Sequence, residues 1–528
     1  MAGIAQDRPF PPGDYPVVVV GSGPGAIQLS YSLGRLGVEH AVISSDPGAG
    51  GMFRRFPFFQ RLLSWSKPYA PAAPGTRAYQ RFDWNSLIAE EPEHNGLMPR
   101  LMDGTSYFPS RPEMELNIRT FADRTGVRVR HGCAWESTRI EEGPDGRRFV
   151  VETSDGPYRA QVAIFAVGVA EPYVPATPGL ELVPHYADTR PAETYAGHRL
   201  FIIGKQNSGF ELASGLLPWA RSIVLASPSA AKLSVVTRSL VGIRARYVQP
   251  YEDYVLGGGV GVLEAAIERV ERVDGGFRVV TRPSRGGDPR AYDVDEVIAA
   301  TGFVTPLRDL PSLGVVTFGQ SRLPAQTAFW ESATVRGIYF AGTISQGAAG
   351  LKKHGMPANS GAVQGHRYNA VVLARHVAET HFGAAPYRRP LDADGVMAFA
   401  LDEICGGPEL WHQRAYLARV IEVDPARGIS DAGVVPLSHF LDAGGPDSLA
   451  LTIESDATGG IYPVVYGRRN GQVTEYPLPG DDVLQFDGQP QREALGAVLA
   501  EFGLPASEVA RGLAAADAGA EGMAIPGV

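Results

Sequence analysis

The chain has 528 residues, 44% of them hydrophobic and 20% charged, with a formal net charge of −9. That length exceeds what one hydrophobic core usually organises, so two to four domains of ordinary globular composition are expected. The acidic balance, without basic stripes or polybasic blocks, argues against nucleic acid or an anionic membrane as partner.

The first fifteen residues carry Asp7, Arg8 and several prolines around no apolar core of signal-peptide length, and no run approaches a membrane span. A cytoplasmic protein is expected. The two cysteines, Cys133 and Cys405, are far apart in sequence, so neither a disulfide framework nor a Cys-x-x-Cys pair is present.

In chain order, the apolar run Val17-Val18-Val19-Val20 meets the turn Gly21-Ser22-Gly23-Pro24-Gly25-Ala26, a helix is expected over 26–36, Gly37 stops it, and Ala41-Val42-Ile43 follows as a second strand. The alternations at 126–130 and 148–152 predict two strands of a smaller β element, and 162–168 returns to a buried strand. A proline-rich linker over 172–191 precedes a second strand-turn-helix unit, Phe201-Ile202-Ile203-Gly204-Lys205-Gln206-Asn207-Ser208-Gly209. Buried strands are then expected at 297–303 and 337–342, with a helix over 361–379. A strand that turns through glycines into a helix offers free N–H groups and the positive end of the helix dipole to a pyrophosphate. Two such turns suggest two dinucleotides, most simply a resident flavin and a nicotinamide that feeds it electrons.

The expected fold class is α/β: two nested Rossmann-like dinucleotide-binding domains of three layers (ββα/βαβ), plus a small α+β C-terminal domain. The boundaries read as 1–190 with 296–386 for a discontinuous FAD-binding domain, 191–295 for an inserted NAD(P)-binding domain and 387–528 for an accessory domain. Within the last, strands are expected at 448–453, 461–466 and 473–476, with Arg469-Asn470-Gly471 as a hairpin turn. It reads as a lid or an oligomerisation module, and a homo-oligomer is compatible with it.

The ordered set Gly21-x-Gly23-x-x-Ala26, Gly50-Gly51-Met52-Phe53, Gly204-x-x-Asn207-Ser208-Gly209-x-Glu211 and Ala300-Thr301-Gly302-Phe303 resembles single-component, NAD(P)H-using flavin monooxygenases. That superfamily includes the flavin-containing monooxygenases, the Baeyer–Villiger enzymes and the amine N-hydroxylases. The resemblance implies that Gly21, Gly23, Gly25 and Ala26 hold the FAD pyrophosphate and that Gly50, Gly51 and Phe53 pass its ring. Ser44 stands where an acid usually binds ribose, with Asp46 two residues on. In the second turn Gly204, Asn207, Ser208 and Gly209 match, while Lys205 and Gln206 stand where glycines are common and would contact the nicotinamide dinucleotide instead. Ser227 takes its ribose-acid position; lacking a carboxylate to repel a 2′-phosphate, with Lys232 or Arg238 to pair with it, the site favours NADPH. Thr301 and Gly302 mark the nicotinamide path, and Gly342 belongs to the cofactor set.

The fingerprint that monooxygenases often carry between the two turns is reduced here to His185, which weakens the Baeyer–Villiger reading. Phe108-Pro109-Ser110-Arg111-Pro112-Glu113 and Lys353-His354-Gly355-Met356 look more like the N-hydroxylases, with Ser110 and Glu113 read as a capping box and Arg111 and Gly355 as cofactor-side residues. Lys67 and His354 are the catalytic candidates, and Arg244 with Arg246 a candidate substrate-anion site. No metal site is expected, because the eleven histidines are scattered without ligand spacing.

The implied activity is NADPH-driven oxygenation, through a flavin C4a-(hydro)peroxide formed with O₂, of a small molecule's amine nitrogen or other soft nucleophile. Alternatives are an NAD(P)H oxidase or electron-transfer reductase, Baeyer–Villiger oxygenation of a ketone, and a flavin-binding scaffold without turnover. A disulfide reductase shares the architecture but needs a redox cysteine pair that this chain lacks.

Overall fold

The computed structural model describes residues 8–144, 146–237, 242–351 and 353–505; Arg238 lies outside the described residues. The strand Gly13–Val20 ends in the apolar run Val17–Val20, buried on both faces, and turns at Gly21 into the helix Pro24–Arg35. Proline at the start of that helix gives up no hydrogen bond, and Gly37, at φ +70°, returns the chain into the strand His40–Ile43. Both His40–Ile43 and Tyr158–Phe165 pair in parallel with Gly13–Val20. Ile338–Phe340, from much later in the chain, pairs in parallel with the end of Tyr158–Phe165 and completes the same sheet. The first domain is therefore discontinuous.

The smaller β element differs from expectation. Gly126 is the left-handed cap of the helix Arg111–Thr125, and the alternation after it makes only an isolated bridge, Ile43 to Arg130. The strand expected over 148–152 is Gly146–Thr153, and its hairpin partner is Trp135–Gly143, which is charged on its outer face and carries no apolar run to announce it.

The inserted unit is a second sheet in which Ser222–Ser227 and Glu296–Ala299 flank Arg199–Ile203 in parallel. Because Glu296 registers with Leu200, the strand 296–299 belongs to this unit, which corrects the boundary expected at 295. An antiparallel meander, Val260–Val273, Gly276–Pro283 and Arg290–Val294, extends the sheet's far side. The two passages of chain between the domains pair with each other as Glu171–Pro172 and Phe303–Val304.

The C-terminal domain is a six-stranded sheet whose register is antiparallel throughout. Ser448–Ser455, Ile461–Arg469 and Gln472–Pro477 lie at the expected places, and Asn470 and Gly471, at φ +49° and +79°, make the tight turn. Helices Val396–Gly406, Pro408–His412 and Gln489–Glu501 cover one face. Polar contacts dock this domain on the first: Arg77 reaches Glu403 at 2.8 Å and Glu409 at 2.7 Å, Lys353 reaches Glu454 at 2.7 Å, and Trp330 Nε1 donates to Tyr416 Oη at 2.9 Å.

The helix Val363–Phe382 packs its buried face against Pro24–Arg35 and carries His366, which is buried, and His376, which is half-buried. Burial holds both imidazoles neutral down to about pH 4, and at His376 the neighbouring His381 and His439 add repulsion. The folded-state values lie below those of the unfolded chain, so unfolding takes up protons as pH falls below 6.5, and the stability these sites allow is lost progressively towards pH 4. At pH 4 the loss reaches about 3 kcal/mol for each such histidine. The melting temperature is expected to fall steadily from pH 6.5 to 4.5, with a shallower slope in His376→Gln; equal slopes would show that this ring does not contribute.

Candidate functional site

No side chain caps the helix Pro24–Arg35, so its first N–H groups stay free for an anion. A Cβ on Gly25 would lie 2.3 Å from the Gly342 Cα, which means that the first turn and the turn after Ile338–Phe340 touch backbone to backbone. Gly51, at φ +56°, presses on the same turn, where a Cβ would meet the Gly23 Cα at 2.8 Å. Three backbone segments thus form a cradle that side chains would fill. At the end of His40–Ile43, Ser44 Oγ donates to Ser22 Oγ at 3.0 Å, Ser22 Oγ donates to Asp46 at 2.8 Å, and Asp46 N donates to Ser44 Oγ at 3.1 Å. Asp46 is thereby fixed beside the cradle as the carboxylate that position 44 lacks. These residues fit the pyrophosphate and ribose of a dinucleotide.

The second turn has the same construction. Gly204 takes φ +125°, and a Cβ there would meet the Ala300 carbonyl oxygen at 2.3 Å. The helix Asn207–Leu216 follows, again without a side-chain cap. Asn207 ties this turn to the chain beyond it, its Oδ1 accepting from Arg244 N at 3.0 Å. Lys205 is buried, which lowers its pKa, whereas Gln206 is exposed and outside the cavity.

Between the turns, Glu211 accepts from Tyr186 Oη at 2.6 Å and from Phe59 N at 3.0 Å, and burial raises its carboxyl above the ordinary range. This carboxyl binds the 56–59 loop of the first domain to the second. His185 is also structural: its Nδ1 accepts from Ala187 N at 3.1 Å, and its other nitrogen lies 3.0 Å from the Gly302 carbonyl oxygen. Thr301 Oγ1 donates to Tyr173 O at 2.5 Å, so Thr301 and Gly302 fix the domain crossing and lie outside the cavity lining.

One cavity of about 1350 Å³ joins both turns, larger than the roughly 300–1,000 Å³ of a single small-molecule site. It runs from Gly21–Gly25 and Asp46 past Gly51 and Phe53, reaches Asn207, Ser208 and Arg244 on one side, and ends against the C-terminal domain. That end is walled by Trp65 and Trp84, whose rings lie 3.6 Å apart, and by Trp411, His412, Arg414 and Ser455.

Of the remaining candidates, Lys67 stands on the cavity wall with an exposed side chain. His354, in the left-handed region at φ +54°, and Gly355 are exposed and outside the lining, whereas their neighbours Lys353 and Met356 line it. Arg111 is outside too: its guanidinium donates to the Arg54 carbonyl and so supports the loop after Gly50-Gly51. Ser110 and Glu113 form the capping box. Arg244 lines the cavity, with burial lowering its pKa, but Arg246 lies over the Phe108 ring at 5.4 Å, so the two do not form one site. Ser227 and Lys232 sit beyond the second turn, away from the main cavity. Sequence reasoning missed the whole C-terminal wall; its one local signal is the spacing of Trp411 and Arg414.

The model of the pyridine nucleotide-disulphide oxidoreductase family matches residues 18–342. The chain belongs to that family. The match covers both glycine turns and stops before the C-terminal wall of the cavity. The mouse FAD-dependent oxidoreductase domain-containing protein 2 is 27% identical over 394 residues, 69% of this chain and 58% of that protein. The chain thus spans less than two thirds of this relative's length. Among solved structures, bacillithiol disulfide reductase from Staphylococcus aureus matches with a TM-score of 0.52 at 15% identity, covering 70% of this chain and 99% of that one. A flavin-containing monooxygenase from Stenotrophomonas maltophilia matches at 0.51 and 20% identity, covering 69% and 98%. These neighbours share the two-dinucleotide fold of the pyridine nucleotide-disulphide oxidoreductases. Despite that family's name, neither Cys133, buried beside Thr153, nor Cys405, in the helix Val396–Gly406, lines the cavity, and both are unpaired.

Proposed function

We propose that the chain is an FAD-dependent, NADPH-driven monooxygenase acting on the amine nitrogen or another soft nucleophilic atom of a small molecule. The observation that carries this reading is the continuity of the cavity: the flavin cradle opens directly into a chamber closed by three tryptophans, which can hold an organic molecule beside the cofactor. A disulfide reductase would need a thiol pair there, and the cavity lining contains no cysteine.

Bound FAD would supply hydride acceptance from NADPH and then activation of dioxygen. This chain's residues do the rest. Gly21–Gly25 and the helix start hold the pyrophosphate, and Asp46 accepts from ribose hydroxyls. Asn207 and Ser208, at the second helix start, hold NADPH, and the lack of a carboxylate at Ser227, with Lys232 nearby in sequence, admits a 2′-phosphate. The Glu211–Tyr186 tie keeps Phe58 and Phe59 against the second domain and so excludes water along the nicotinamide path.

The test is anaerobic mixing of FAD-loaded protein with NADPH, then admission of ¹⁸O₂ with a panel of amines and sulfides. The expected outcome is bleaching of the yellow colour and one labelled oxygen in a product whose yield tracks NADPH consumed. Hydrogen peroxide equal to NADPH with every candidate would replace this reading with an oxidase, and failure to bleach with either nicotinamide would replace it with a scaffold.

A further inference from the structure

At the end of the cavity formed by the C-terminal domain, two guanidinium groups converge on one indole. The Arg81 guanidinium carbon stands 3.4 Å from the centroid of the Trp411 ring, and that of Arg414 stands 5.8 Å from it. Each is anchored by a single neutral acceptor: Arg81 Nη1 donates to the Cys405 carbonyl at 3.0 Å, and Arg414 Nη1 donates to Ser455 Oγ at 3.3 Å. Among the described residues the buried Nε of Arg414 has no acceptor, and no carboxylate lies within ion-pair distance of either arginine.

The contrast with neighbouring cations is direct. Arg77 holds two glutamates, Lys353 holds Glu454 and Glu475, and Arg419 holds Asp431. The domain therefore supplies counter-charges to the cations that join it to the rest of the fold, Lys353 on the cavity wall included, and leaves Arg81 and Arg414, two of the five arginines that line the cavity, without them. The other titratable groups here add no negative charge: burial keeps His412 neutral, with its Nε2 3.0 Å from the Gln80 carbonyl oxygen, and raises the Cys405 thiol. Burial, then repulsion from Arg81, pushes Arg414 down to about 10, still charged at neutral pH. A charged donor left unmatched in a desolvated site is costly, and a planar anion satisfies a guanidinium fork. The Trp411 ring is taken up by Arg81 and by Phe486, which stacks on it with centroids 5.5 Å apart, so the apolar wall for the rest of such a molecule is the tilted pair Trp65 and Trp84.

We propose that Arg414, with Arg81, is the anion subsite of the substrate chamber, and that the substrate is an organic carboxylate with a flat apolar body held by Trp65 and Trp84. This names the substrate class for the monooxygenase reading and rests on it. It also gives the C-terminal domain a direct part in substrate recognition.

The test is calorimetric titration of the oxidised, FAD-loaded, NADP⁺-saturated protein with indole-3-acetate, its neutral amide and phenyl phosphate. Indole-3-acetate is expected to bind at least tenfold more tightly than the amide. Arg414→Gln should remove that advantage while leaving amide affinity within twofold, and Arg414→Lys should keep part of it. Equal binding of acid and amide by the wild-type protein overturns the proposal without reference to any variant. So does an acid preference that survives Arg414→Gln, acid binding abolished by NADP⁺, which would give the arginines to the nucleotide, or tighter binding of phenyl phosphate, which would make the ligand a phosphate ester. Because no turnover is measured, an acid preference stands even if NADPH fails to bleach the flavin, and bleaching without acid preference overturns the subsite alone.

Discussion

Gly25→Val is expected to give a folded but colourless protein. The Cβ of any residue at 25 would sit 2.3 Å from Gly342 Cα and 2.6 Å from Gly342 N, and both are backbone atoms that cannot swing aside. Valine would force the helix Pro24–Arg35 away from the 342 turn and open the cradle, so FAD retention, read as 450 nm absorbance per chain after reconstitution, should fall at least about 100-fold, equivalent to roughly 3 kcal/mol of binding. Gly204→Val places the same lesion in the other turn, 2.3 Å from the Ala300 carbonyl oxygen, and should leave the yellow colour intact while anaerobic bleaching by NADPH is lost. Gly126→Ala serves as the control: its φ of +71° carries a strain of about 1 kcal/mol, but open space surrounds it and colour should not change. A yellow Gly25→Val protein with stoichiometric FAD would mean that the dinucleotide does not lie in the first turn.

The second large effect concerns the joint between the C-terminal domain and the rest. Glu454 is wholly buried in the sheet, 2.7 Å from Lys353 Nζ, and also accepts from Tyr466 Oη at 2.6 Å. Lys353→Ala would strand that carboxylate, and breaking one side of a buried pair costs about 3–5 kcal/mol. Thermal unfolding should shift down by several degrees, and limited proteolysis should cut near the 353–356 loop first. Lys353→Met combined with Glu454→Gln removes both charges and should recover most of the loss. If the single and double variants melt together, the pair does not hold the domain.

How far the sequence reveals this molecule depends on which physical demand each residue answers. Glycines at 21, 25, 51 and 204 answer a local demand, backbone contact or a left-handed turn, so their spacing is readable in one dimension. The insertion of one unit in the other is readable for a related reason, because buried strands at 162–168 and 337–342 bracket the second turn. Ser44 illustrates a partial reading: the missing acid is visible, and only the three-way network with Ser22 shows that Asp46 is held beside that position. Lys205 answers a packing demand that no motif encodes, since its burial depends on the strands around it. The chamber was least legible. Trp65, Trp84, Arg81, Trp411 and Arg414 come from two loops and a short helix hundreds of residues apart, and no periodicity states that the C-terminal domain faces the flavin cradle. The strand Leu417–Asp424 could have been recognised from its alternation, but strands alone do not say which way a sheet docks.

The paired crossings Glu171–Pro172 and Phe303–Val304 have a consequence for how such a protein can be taken apart. Neighbouring strands stand about 4.8 Å apart, so the nicotinamide-side unit enters and leaves through a single narrow doorway. Joining residue 172 directly to residue 303 would need no more than a tight reverse turn, and every strand of the first sheet would keep its partners. The first sheet and the C-terminal wall are in this sense one continuous unit into which the second sheet has been slotted. Exchange of that insert between relatives is a change at one point along the chain, with the 56–59 loop as the packing surface that must be matched.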